Sequence, residues 1–110
     1  MRAVMAGEAE RDNRDETFVT AVRYLLEALA ELRPGSSVEV RVPPLGATQC
    51  IEGPTHRRGT PPNVIELDPA TWFELAVGET SWMAAAEAHR ISASGVRATL
   101  EEVLPVMRLN

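Results

Sequence analysis

The sequence predicts an α+β domain, and three stretches carry that expectation. Between Asp15 and Arg33, the side chains Phe18, Val22, Leu25, Leu26, Leu29 and Leu32 recur at steps of three and four, the spacing of one helical face. From Ser37 to Val42, three valines alternate with Glu39 and Arg41, the period of two that marks a strand with one dry face. Asp68-Pro69 then opens a second helix. Its carboxylate accepts unpaired N–H groups of the first turn, and proline at the first helical position forfeits no hydrogen bond.

The remaining elements follow in chain order. Residues 1–14 offer almost no large apolar side chain to offset the entropy of ordering, so they read as a flexible leader to one domain over 15–110. Pro34-Gly35 stops the first helix, because proline cannot continue the ladder and glycine supplies a left-handed cap. Pro43-Pro44-Leu45-Gly46 makes a turn, and Ala47–Glu52 returns as the second strand of a hairpin. The stretch from Gly53 to Asn63 is too rich in proline and glycine for a ladder and predicts an exposed loop, after which Val64–Leu67 supplies a third strand.

The helix from Pro69 runs to Val77 and ends at Gly78. A short helix after Thr80 or Ser81 carries Trp82, Met83, Ala85 and Ala86. Arg90–Ser94 alternates again, with Ile91 and Ala93 on one side, and predicts a fourth strand. Thr99-Leu100-Glu101-Glu102 has capping-box spacing and predicts a final short helix, interrupted near Pro105, with Leu100, Val103, Leu104 and Met107 on one face.

Composition narrows the function classes. The 110 residues suffice for one core, and 45% hydrophobic with 25% charged residues is ordinary for a globular protein. Sixteen acids against eleven bases give a net charge of -5, which opposes general nucleic-acid binding and docking on anionic membranes. The single cysteine, Cys50, makes no intramolecular disulfide, and Met1–Met5 lacks the apolar run of a signal peptide, so the expected compartment is the cytoplasm. No stretch approaches the roughly 20 apolar residues of a membrane span.

The segment Asn63–Gly78, the run Ile91–Gly95 and the order of elements resemble the sterol carrier protein family over about residues 17–107. In that family a strand leads into a helix whose Phe and Leu pack inward. A Gly-Lys pair, an Ala-rich turn and a Gly-x-Leu-x-Ile-x-Gly strand follow. Phe73, Leu75, Gly78, Ala84–Ala86, Ile91, Ala93 and Gly95 stand at the matching positions. The chain departs from the pattern at Glu79 (usually Lys), at His89 (usually Gly) and at Pro62-Asn63, where an Asp commonly precedes the third strand. Val38–Pro44 and Gly59–Asn63 are similar to a short branch found in actinobacterial proteins.

The resemblance implies an open, mainly antiparallel sheet of four to five strands with helices packed on one face. It also implies a tunnel between the two that holds acyl or sterol-like ligands, without catalysis and without a cofactor. On that basis Phe18, Leu25, Leu29, Trp72, Phe73, Met83, Ile91 and Met107 line the tunnel. Taken by themselves, the same side chains equally describe a filled core. His56-Arg57-Arg58 makes a basic tip on an acidic protein, suited to an anionic headgroup at the tunnel mouth or to plain solvation.

The chemistry-bearing residues point away from catalysis. Cys50 lies in a strand and reads as a small buried hydrophobe; a nucleophile would need His56 or His89 within reach to form the thiolate. Two histidines and one cysteine lack paired zinc-ligand spacing, and no phosphate loop or Gly-x-Ser-x-Gly is present. Asp68 and Thr99 are explained as helix caps. One competing function is a docking module for a partner protein or a second copy. Another, implied by the resemblance because similar sterol-carrier-type domains occur fused to mycothiol-dependent modules whose metal sits in a separate helical domain, is a non-catalytic partner of such an enzyme.

Overall fold

The computed structural model describes residues 12–54 and 61–108. Helix α1 (Glu16–Leu32) begins where Asp15 caps it, its side chain accepting from the N–H groups of Thr17 and Phe18. Strand β1 (Val38–Val42) forms a hairpin with β2 (Gly46–Cys50), and β3 (Asn63–Leu67) returns on the other side of β1. Helix α2 (Pro69–Ala76) follows β3 directly, capped by Asp68, whose Oδ1 accepts from Thr71 N–H at 2.7 Å. Helix α3 (Trp82–Glu87) is capped by Ser81, and β4 (Ile91–Ser94) closes the sheet.

The sheet is open and has the order β2-β1-β3-β4, antiparallel except for β1 beside β3, which run parallel. Register sorts its two faces. Val38 pairs with Cys50 and Asn63, and Val40 with Thr48 and Ile65, so these look toward the helices. Glu39, Arg41, Gln49, Val64, Glu66, Ser92 and Ser94 share the other face, where Arg41 pairs with Glu39 at 2.6 Å. Helix α1 packs on β2 and on α2. The core between helices and sheet buries Val22, Leu25, Leu29, Val40, Ile65 and Trp72.

Three expectations change in detail. The first helix is not capped by a left-handed glycine: Arg33 closes it through its own N–H to Leu29, and Gly35 takes φ +147° for a different reason, described below. Ile91 and Ala93 point to the helix side by register with Leu67 and Ile65, yet Ile91 is only half-buried and Ala93 exposed, and none of the described helices makes a substantial contact with β4. No final helix forms after Thr99. Its hydroxyl accepts from Glu101 N–H, Val103 N–H closes a single turn on Leu100, and Pro105 has no N–H to continue. Val106 and Met107 instead donate to the Ala76 carbonyl, strapping the chain across the end of α2.

Helices α2 and α3 end alike. In α2, Gly78 N–H bonds Leu75 and Glu79 N–H bonds Glu74, with Gly78 at φ +84°. In α3, His89 N–H bonds Ala86 and Arg90 N–H bonds Ala85, with His89 at φ +59°. Each is a Schellman ending, and His89 occupies a left-handed position that glycine fills without a Cβ penalty.

Candidate functional site

The distinctive local structure lies where α1 hands over to β1. Ile51 adopts φ +68°, a conformation that costs a β-branched residue on the order of 1–3 kcal/mol. Three hydrogen bonds hold it there: its N–H donates to Arg33 at 2.7 Å, and its carbonyl accepts from the N–H and hydroxyl of Ser37 at 3.0 and 2.7 Å. Gly35 fits against this carbonyl because a Cβ at that position would collide with it.

Asn63 ties the same corner to the far edge of the sheet. Its Nδ2 donates to the Ser37 carbonyl at 2.8 Å, and its Oδ1 accepts from Arg97 N–H at 2.9 Å. Gly95 lies so close to Asn63 that a side chain there would meet its Oδ1. Ser37, Ile51 and Asn63 were not among the expected site residues. Their one sequence signal was an asparagine where the family pattern favours an aspartate, and the residues that they join are far apart in sequence.

This corner frames a cleft of about 610 Å³. Leu32, Pro34, Ile51 and Val103 supply its apolar walls, and Arg33, Glu52 and Glu102 its charged rim. Leu32 is 59% exposed although it continues the apolar face of α1. Ile51 and Val103 pack against the core from the other side. A second cleft of about 500 Å³ takes Trp82, Met83, Leu104, Pro105 and Arg108, so neighbouring residues of the strap at 101–105 serve both clefts.

The expected tunnel residues separate into two groups. Leu25, Leu29 and Trp72 are buried in the core. The Trp72 indole N–H donates to the Val22 carbonyl at 3.2 Å, and Phe18 meets the half-buried Phe73 with ring centroids 5.8 Å apart. None of these five lines a described cleft. Met83 is exposed in the second cleft, Ile91 borders a smaller one of about 280 Å³ with Glu66, Asp68, His89 and Arg90, and Met107 is exposed on the strap. His56, Arg57 and Arg58 lie outside the described residues, as does all of the 1–14 leader before Asp12.

Cys50 is fully buried, and burial pushes its thiol up to about 11. Such burial disfavours the thiolate that a nucleophile would need. Among the described residues no group of three or more His, Cys, Asp or Glu side chains could hold a metal ion, and no helix is long and apolar enough to cross a membrane. Thr71 Oγ1 is buried without a hydrogen-bond partner, and it borders none of the described clefts.

A search of curated proteins finds no match to this chain. Residues 13–106 match the profile described as bacterial SCP ortholog, a span that runs from the turn before α1 to the strap over α2. With the α+β order, the open sheet and the helix following β3 all in place, the chain belongs to the bacterial SCP ortholog family, a sterol-carrier-like family.

Proposed function

We propose that this chain is a carrier-type module, not an enzyme, and that it holds a small apolar ligand of acyl or sterol-like character in the cleft at the end of α1. Membership of a sterol-carrier-like family supports the ligand class. The observation that carries the proposal is the cleft itself, whose volume of about 610 Å³ lies within the range of about 300–1,000 Å³ usual for small-molecule sites and whose walls include the exposed Leu32. Each ligand methylene buried against such walls contributes about 0.8 kcal/mol, so binding needs no reactive group.

The test is a titration with dodecanol of the wild type and Leu32→Glu. Saturable binding by the wild type, weakened about tenfold or more by the buried carboxylate while the urea midpoint stays put, is the expected result. Absence of binding by the wild type, or equal binding by both proteins, contradicts the proposal.

The β4 edge favours one other reading, self-association. Three of its four residues are exposed, and it carries no proline or charge to discourage pairing with a second strand. A mass that rises with concentration, and falls when Ala93→Lys is introduced, supports that reading.

A further inference from the structure

We infer that the cleft at the end of α1 selects an amphiphile with a cationic headgroup, a primary ammonium, rather than a fatty acid anion. The inference rests on the carrier reading and adds the charge of the ligand to it. Apolar walls from Leu32, Pro34, Ile51 and Val103 leave room for a chain but say nothing about its head. The rim does. Glu52 and Glu102 are exposed carboxylates that border the cleft, against one guanidinium, Arg33.

None of these three side chains is engaged in an ion pair or side-chain hydrogen bond among the described residues, where the ion pairs include Asp12 with Arg14, Glu39 with Arg41 and Glu74 with Arg90. Unpaired carboxylates beside an apolar surface accept short, charge-assisted hydrogen bonds from an ammonium. A carboxylate head in the same place meets two like charges and one opposite charge. The chain's net charge of -5 acts in the same direction, raising the local concentration of cations over anions.

The sequence of His56-Arg57-Arg58 leaves an anionic headgroup or plain solvation open, and those three lie outside the described residues. The acidic rim favours a cationic head, and the charge of the bound head decides between an anionic and a cationic ligand.

The experiment compares dodecylammonium and dodecanoate, each below its micelle concentration, with dodecanol below its solubility limit, by calorimetric titration of the full chain at low and high salt. Dodecylammonium is expected to bind about tenfold or more tightly than dodecanoate at low ionic strength, with the gap narrowing in high salt. Glu52→Gln/Glu102→Gln is expected to erase that gap while dodecanol binding is kept. Both positions are exposed, so the fold tolerates the change.

Glu16→Gln/Glu87→Gln removes the same charge elsewhere. Glu16 lies about 24 Å along α1 from Leu32 by the helical rise. This variant is expected to keep the preference. If it loses the preference as fully as the rim variant, the attraction is general and the inference falls. Equal binding of all three ligands, or tighter binding of dodecanoate, overturns the inference and leaves the carrier reading standing. Failure of all three to bind removes both.

Discussion

The interior between helices and sheet and the cleft at the end of α1 are built from similar residues and end in opposite states. Inside, Leu29, Ile65 and Trp72 reach essentially zero exposure, and the Trp72 indole N–H finds the Val22 carbonyl. At the end of α1, one turn beyond Leu29, Leu32 carries the same apolar stripe into solvent beside a backbone held in an unfavourable conformation at Ile51. An apolar stripe therefore does not announce whether it fills a core or lines a site. What differs is what lies opposite: a sheet face in one case, a turn and a strap in the other.

The comparison breaks most visibly if the interior is opened. Trp72→Ala removes the largest fully buried side chain and its hydrogen bond, and about 3–5 kcal/mol of stability is expected to go with it in urea unfolding. A loss under 1 kcal/mol means the interior has spare room, as a tunnel there would require.

Cys50 tests the same interior through pH. Its thiol ionises near 9.0 in the unfolded chain and is held to about 11 by burial in the folded one, so between those values the folded state binds more protons. Stability attributable to the thiol is therefore complete below pH 9 and falls as pH rises, by about 2–3 kcal/mol at pH 11 and beyond. The gap between wild type and Cys50→Ala is expected to narrow over that range. A constant gap shows that the thiol is not desolvated.

The smallest effect belongs to the cleft. Leu32→Ser is expected to shift stability by no more than about 0.5 kcal/mol, because an exposed side chain has little burial to lose. A cost above 1.5 kcal/mol places Leu32 in the core after all.

The periodic elements were legible because each is specified by its own residues: the α1 stripe, the valines of β1 and the Asp68-Pro69 start all read locally. The misses are non-local. The final helix was expected from a capping box, but the Thr99 hydroxyl closes only a turn, and the amides after Pro105 find the Ala76 carbonyl thirty residues back. Alternation sets Ile91 and Ala93 on one side of β4, but whether anything covers that side depends on tertiary packing that alternation does not record. The corner at Ser37, Ile51 and Asn63 was missed because hydrogen bonds across 14 and 26 residues leave no periodic trace. Of the expected tunnel lining, composition identified the apolar residues, but not which of them face each other.

The most direct test of the central claim, that an apolar ligand sits at the end of α1 and not inside, is amide chemical-shift mapping during a dodecanol titration. Shifts confined to the amides that line the cleft, Leu32, Arg33, Gly35, Ile51, Glu52, Glu102 and Val103, with the Trp72 indole N–H resonance unmoved, are the expected result. Movement of the Trp72 indole together with Val22 and Phe73, while the corner at Ile51 stays still, would place the ligand between helices and sheet and contradict the account.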